Sequence, residues 1–491
     1  MKLNIKESLK TINKINYLLL LLLIFACSSS SSQVSFTEEP NPEPEQPEQI
    51  TGPIAYNTLK ASGRDIVNED NRTVILKGVN FGQWLVMEGF MSGSNGNMTQ
   101  SAMKRKLFAS GKSRAQIENF FDQYRANFIT KADVDFIGEK GYNCIRLPLH
   151  YELFLTDAQR EKRLDVIYAD GAAKETAYNT YKDNLQSWVT NNTLATDSDI
   201  DGFKIIDNMV SWCKANNIYI VLDMHVVPGT VGDNVPITDE MMEDFSFGGR
   251  DYFYDSKNRE ALYRIWDKIS ERYANEPTIC MYDLINEPHN RPGSSLQDLT
   301  SYEMTTLKNS YNTIINEIRA NNDDTLILLQ GGDFGNDYLS SGVSIYPSDL
   351  NNKSNIVYNF HRYRADNSKT AINGDTDNLS LFGTAVAFSN THNVPLFCGE
   401  TGLDDNYSRL SENLQNMTEL GFGWTLWTFK THTDRNDPQY TSNRVLFDVG
   451  GNNIWDDLQQ WEDATLFENI KFANCSINPM QGFWLAIDPT K

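Results

Sequence analysis

The sequence predicts an α/β chain folded as a (β/α)8 barrel, and three observations carry that prediction. Eight short β-rich runs recur from about residue 75 onward, most of them continuously apolar, as parallel strands covered on both faces must be. Stretches of helical length and period separate them. A polar residue stands at the C-terminal end of run after run, the level at which a closed parallel barrel gathers its functional groups.

The elements follow in chain order. Residues 59–74, with Asn68-Glu69-Asp70-Asn71 between apolar flanks, read as a small β-hairpin at the barrel bottom. The first strand is 75–82, and a helix over 117–140 ends at Glu139-Lys140-Gly141, with glycine at its C-terminal stop. Strand 142–149 is followed by a long insertion, 152–200, expected to build part of the rim. Helix 202–216 closes on Ala215-Asn216-Asn217 ahead of strand 219–225, and helix 258–273 precedes strand 279–286. Helix 302–320 and strand 325–330 come next, and 333–355 shows no clean helical period. Strand 356–361, helix 379–392, strand 394–399, helix 408–420 and strand 423–428 complete the set. No internal repeat is visible.

Composition bounds what such a chain does. It has 491 residues, 40% of them hydrophobic, which suits a large core and excludes a disordered chain, a collagen-like fibre and a multi-span membrane protein. Lys and Arg number 43 against 65 Asp and Glu, a net charge of −22, and a surface so acidic repels nucleic acid. Neutral ligands such as sugars meet no such penalty. Aromatic residues, 11% of the chain, supply flat apolar faces for a core and for sugar rings alike. A monomer is expected.

The N-terminus reads as an export signal. Lys2, Lys6, Lys10 and Lys14 precede an apolar run from Tyr17 to Ala26 that is too short to span a bilayer. Its end, Leu23-Ile24-Phe25-Ala26-Cys27, resembles a bacterial lipoprotein cleavage box, which implies a signal peptide over 1–26 and acylation of Cys27. The Ser, Pro and Glu tract over 27–50 cannot bury a core and reads as a tether, leaving 51–491 as one catalytic domain. The resemblance places the protein on the bacterial outer membrane by its lipid, facing either side. The acidic residues often wanted just after the lipidated Cys for surface export are replaced by Ser28 to Ser32. Cys144, Cys213, Cys280, Cys398 and Cys475 show no CxxC or zinc spacing, so no metal is assigned to them.

The strand ends carry the chemistry. Read one by one they are Arg146, His225, Asn286-Glu287, His361 with Tyr363, Glu400 and Trp427. Glu287 and Glu400 close the fourth and seventh strands, which face each other across the mouth; Pro288 stops the first of these, and Gly399 and Gly402 let the second bend. Two facing carboxyls suit glycoside hydrolysis, in which one attacks the anomeric carbon and the other protonates the leaving oxygen. Arg146 is the candidate for keeping Glu400 ionised, and Glu400 for raising the proton affinity of Glu287.

Asn286-Glu287-Pro288, Gly399-Glu400, His361-Arg362-Tyr363 and Ile145-Arg146-Leu147-Pro148, in that spacing, resemble glycoside hydrolase family 5, the cellulase-type clan A TIM barrels. The nearer likeness is to exo-β-1,3-glucanases, through 78–88, 128–133 and 222–229. Gln83 and Val226 stand where that group usually has Gly. The resemblance implies a retaining mechanism on a β-glucan, with Glu287 as acid/base and Glu400 as nucleophile. It implies that Asn286 binds the 2-hydroxyl of the sugar being cleaved and that Arg146 and Tyr363 hold Glu400. His225 and His361 would line the adjoining subsite, and Trp427 would lie under that sugar. Glu88 is a surface carboxylate by its own reading and a sugar-hydroxyl ligand by resemblance. Asp223 is read as structural and Trp424 as core, and His150, His289, His392 and His432 as loop or structural residues. No cofactor and no metal are required.

Three alternatives compete. A metal-dependent barrel hydrolase would want an HExxH set, and the sequence has none. A non-catalytic glycan-binding lipoprotein fits the tether and the aromatics and leaves the two Glu, Arg146 and Tyr363 without a purpose. Within the same chemistry, an endo-acting cellulase or mannanase is the nearest rival.

Overall fold

The structure, a computed structural model, describes residues 58–92, 99–232, 235–239, 241, 250–289, 299–332, 334–335, 344–363, 383–432, 444–449 and 464–491. The export signal, Cys27 and the tether lie outside the described residues. No helix among the described residues is long and apolar enough to cross a membrane.

Eight strands close into a parallel barrel: β3 (Lys77–Asn80), β4 (Cys144–His150), β5 (Tyr219–Val226), β6 (Ile279–Asp283), β7 (Leu326–Leu329), β8 (Ile356–Tyr363), β9 (Leu396–Gly402) and β10 (Gly423–Leu426). Each pairs with the next in sequence and β10 closes on β3, so every expected strand is present in its expected place. The ends moved by a few residues. β8 and β9 run two or three residues past their expected ends, which puts Glu400 within its strand, not after it. β6 stops at Asp283, three residues short.

A hairpin of β1 (Lys60–Ser62) and β2 (Asp65–Val67) precedes the barrel. Its turn is Gly63-Arg64, where the left-handed backbone of Gly63 (φ 60°) suits a residue without a Cβ, and not the expected Asn68–Asn71. Asn68 instead caps a second turn, its side chain accepting from the Arg72 N–H at 2.9 Å. Leu59 and Ile66 join one buried cluster with Cys144, Val221, Met281 and Phe397, so the hairpin plugs the barrel bottom as expected.

The expected helix over 117–140 is two helices, α2 (Arg114–Phe128) and α3 (Lys131–Glu139), which follow α1 (Gln100–Ala109). Ile129 and Thr130 are extended, and the Asp133 carboxylate reaches back to accept from the Thr130 N–H (2.7 Å) and Oγ1–H (2.9 Å). Such a reciprocal cap starts a new helix, and the amphipathic period running through the break masked it. Asp133 also pairs with the buried Lys430 at 2.9 Å.

The 152–200 insertion folds mainly as α4 (Asp157–Ile167) and α5 (Gly171–Thr190), packed against each other. Buried charges tie it down. Arg163 reaches Glu152 (2.6 Å), Asp239 (2.9 Å) and the Ser101 hydroxyl (3.1 Å), while His150 Nε2 lies 3.0 Å from Asp239. Lys104 pairs with Glu118 at 3.0 Å and with Glu152 at 3.7 Å. Burial would raise both carboxyls, but Lys104 and Arg163 hold Glu152 well below the carboxylate range, and His150 and Arg163 hold Asp239 below it too. In the connection 333–355, which has no clean helical period, the described residues include one short helical turn, Pro347–Asp349.

Candidate active site

Strand geometry brings the site together. In the β8–β9 register His361 stands opposite Glu400, after an irregularity at Phe360/His361. Glu287 lies four residues beyond β6 in a left-handed backbone (φ 45°), uncommon for a residue with a side chain. Both of its peptide groups are held: its N–H donates to Gln330 Oε1 at 2.9 Å, and His289 Nδ1 donates to its carbonyl at 2.6 Å.

Glu287 and Glu400 are both buried. An oxygen of each and a ring nitrogen of His361 lie within 4.8 Å of one another. Their partners differ. Arg146 Nη1 donates to Glu400 Oε1 at 2.8 Å, and the Tyr363 hydroxyl donates to Oε2. Glu287 Oε1 faces His361 Nδ1 at 2.6 Å.

Arg146 is not at the rim, as its place in the list of strand ends suggested. It sits within β4, fully buried. Its fork reaches Asp283 (Nε 3.1 Å, Nη2 2.8 Å), Asn80 Oδ1 (3.1 Å), Asn286 Oδ1 (2.8 Å) and Asp223 (3.0 Å). Burial works against its charge, and Asp223, Asp283 and Glu400 together more than offset that, so it stays a cation. One cation cannot balance every nearby carboxyl. Burial pushes Asp223 up to about 7 and Asp283 up to about 6, with Arg146 pulling both down. Burial, then Glu400 and Glu287, push Glu88 well above its ordinary value.

The other expected residues converge on the same place. Burial pushes His225 down to about 3, so its ring is neutral. Its Nδ1 donates to Asp223 Oδ2 at 2.7 Å, leaving Nε2 to accept from Asn286 Nδ2 at 3.3 Å. The Trp427 ring lies parallel to His225, 5.6 Å between centroids and 10° between planes. Glu88 is buried, not a surface carboxylate, with its oxygen 3.9 Å from His225 Nε2. Trp424 and His150 are buried outside the pair, as expected of structural residues.

Four residues escaped the sequence reading: Asn80, Asp283, Gln330 and Asn359. Gln330 Nε2 donates to both Asp283 oxygens at 3.0 Å, and Asn80 Nδ2 to the Gly399 carbonyl at 3.0 Å. The available signal was a lone polar residue inside an otherwise apolar strand, which in a closed barrel must find a partner in the interior. Asp223 was read as structural; it also orients His225.

Two carboxyls and an imidazole at this spacing form the one metal-like group among the described residues. Both oxygens of Glu400 are already taken by Arg146 and Tyr363. The five cysteines from Cys144 to Cys475 form no disulfide, and four of them are buried.

Comparison with known proteins is consistent with this geometry. A family model described as cellulase (glycosyl hydrolase family 5) matches residues 105–433, a stretch holding every expected site residue of the barrel except Glu88. A β-xylosidase of Phanerodontia chrysosporium is 28% identical over 290 residues, 59% of this chain and 49% of that protein, about half its length. Endoglucanase C of Acetivibrio thermocellus is 24% identical over 370 residues, 64% of this chain and 88% of the relative. A protein named probable glucan 1,3-β-glucosidase A, from Aspergillus clavatus, is 23% identical over 354 residues, 70% of this chain and 68% of the relative.

Proposed function

The chain belongs to glycosyl hydrolase family 5, and from that premise we propose that it hydrolyses a β-glucan by retaining double displacement. One observation carries the reading: two carboxyl oxygens within 4.8 Å, one group ion-paired and the other facing a neutral imidazole. Retaining pairs stand ~5–5.5 Å apart and inverting pairs ~6.5–9.5 Å, so this spacing leaves no room for a water between the second carboxylate and the anomeric carbon.

Glu400 attacks the anomeric carbon as Glu287 protonates the departing oxygen, giving a glycosyl-enzyme. Glu287 then takes a proton from water, which displaces Glu400 and releases the sugar. Arg146 and Tyr363 hold the nucleophile in line, and Asn286, fixed between Arg146 and His225, offers its remaining amide hydrogen to the 2-hydroxyl. Trp427 backs the sugar with a ring face.

Relatives named for endo-glucanase and for 1,3-β-glucosidase activity both support a β-glucan and leave the mode of attack to experiment. Laminarin, lichenan and carboxymethylcellulose are the panel. Sugar released from one of them, with the β-anomer formed first by NMR, is the expected result. An α-anomer overturns the mechanism, and no hydrolysis of any substrate favours a glycan-binding protein. Monosaccharide alone means exo action and a ladder means endo. Glu400→Ala abolishes turnover, whereas Glu287→Ala spares the first step on activated aryl glycosides; equal loss in both sinks the role assignment.

We also propose that the chain is exported and lipid-anchored through Cys27 as a monomer, its acidic charge keeping it from nucleic acid. The Lys-flanked apolar run and Ala26-Cys27 support the anchor. Loss of membrane association in Cys27→Ala is the expected result, and an unchanged membrane fraction overturns it.

A further inference from the structure

The side chain of Asn359 has its orientation set from below. The Gly399 N–H donates to Asn359 Oδ1 at 2.8 Å, and since a backbone N–H can only donate, the amide nitrogen must lie on the other side. Its two hydrogens meet two groups, Asp283 Oδ2 at 3.1 Å and His361 Nε2 at 3.3 Å. A donor against Nε2 makes that atom the acceptor, so a neutral His361 carries its proton on Nδ1. Burial pushes this histidine down to about 4, which keeps the ring neutral at ordinary pH. Its Nδ1–H therefore points at Glu287 Oε1, 2.6 Å away.

A protonated carboxyl has one O–H. With Oε1 accepting from His361, the proton of Glu287 belongs on Oε2. We propose that Asn359 is a positioning residue that selects the Nδ1–H form of His361 and so directs the acid proton of Glu287 to Oε2. This rests on the acid role of Glu287 given above. In the first step the Oε2 proton passes to the glycosidic oxygen as the bond from that oxygen to the anomeric carbon breaks and the Glu400 bond to that carbon forms. In the second step Oε2 takes a proton from the attacking water as the Glu400 bond breaks. Gly399 is part of the device, because a Cβ there would fall 2.6 Å from Asn359 Oδ1 and 2.7 Å from Nδ2 and displace the amide.

Asn359→Asp tests this, since it keeps the shape and the acceptor for Gly399 but puts an oxygen against Nε2. The readouts are ¹⁵N NMR of the His361 ring, assigned by its loss in His361→Gln, and kcat/KM over aryl glycosides of graded leaving-group ability. The expected wild-type signal is the Nδ1–H tautomer, moving in Asn359→Asp to Nε2–H or imidazolium. The expected kinetic loss is about 10²-fold on poor leaving groups and within ~3-fold on dinitrophenyl glycosides, as for impaired general acid catalysis. An Nε2–H ring in the wild type, or a loss in Asn359→Asp independent of leaving group, overturns the proposal. If Asn359→Asp does not fold, the wild-type spectrum still decides. Glu287→Ala is run beside it: a leaving-group dependence there but not in Asn359→Asp refutes the positioning role alone, and its absence in Glu287→Ala refutes the acid assignment beneath it.

Discussion

Arg146 and Glu400 meet across the barrel interior, Nη1 to Oε1 at 2.8 Å, although their strands β4 and β9 are not neighbours: β3 and β10 lie between them. The guanidinium is thus the cation around which Asp223, Asp283 and Glu400 are arranged.

Arg146→Lys keeps one charge but loses the fork that serves Asp283, Asn286 and Glu400 together. The expected result is a kcat at least about 10²-fold lower with a folded protein. Arg146→Ala leaves buried carboxyls without their cation and costs roughly 3–5 kcal/mol in urea unfolding. A Lys variant with wild-type kcat would refute the positioning role.

The pH dependence of stability has opposed parts. Burial pushes His361 down to about 4 and His225 down to about 3, whereas unfolded histidine titrates near ~6.5. Below pH ~6.5 the unfolded chain therefore binds more protons, and these two groups destabilise the fold as pH falls toward 4. Asp223 and Asp283, pushed up to about 7 and about 6, act the other way, and their contribution is lost as pH rises through those values. In His361→Gln one of the acid-sensitive groups is gone. The wild type's advantage over it is expected to shrink by roughly 2–3 kcal/mol between pH 7 and pH 4.5. Parallel stability curves would contradict the neutral ring.

Gln83 stands where the resembled group usually has Gly, and its backbone is left-handed (φ 64°). The strain of about 1 kcal/mol is offset by Oε1, which accepts from the buried Glu88 N–H at 3.0 Å. Gln83→Ala loses the bond and keeps the strain, while Gln83→Gly loses both. The Ala variant is expected to be less stable than the Gly variant by about 1 kcal/mol in chemical denaturation. The reverse order would refute this account of the position.

Asp133 and Lys430 are both fully buried and 2.9 Å apart. Asp133→Ala leaves an uncompensated ammonium and removes the cap of α3, a loss of about 3–5 kcal/mol. Asp133→Asn with Lys430→Met is expected to recover at least ~2 kcal/mol relative to Asp133→Ala, because no charge is then left buried. A double variant no better than Asp133→Ala would refute the buried ammonium as the source of the loss.

The barrel was legible because its strands are buried on both faces and read as unbroken apolar runs, and the closeness of Glu287 and Glu400 because Pro288 and Gly399 punctuate those runs. The helix break at Thr130 was less so: a Thr and Asp three apart are a capping signal, but apolar residues keep their period through it. Glu88 could not be read, since nothing local separates a carboxylate under a rim from one in water. Asn80, Gln330 and Asn359 were passed over because a single amide in an apolar strand announces burial without saying what it touches. Their partners come from other strands, a relation that exists only once the barrel closes.

The groups that moor the 152–200 insertion are contributed by separate stretches of chain: Ser101 and Lys104 before the second barrel strand, His150 at its end, and Asp239 after the third. Arg163 alone touches two of these stretches from within the insertion. The segment is therefore not a cassette. Transplanted onto a related scaffold without those counterparts, it would keep Glu152 against Arg163 but lose Asp239, and trimming it here would leave Lys104 to Glu118 and take the arginine from Asp239.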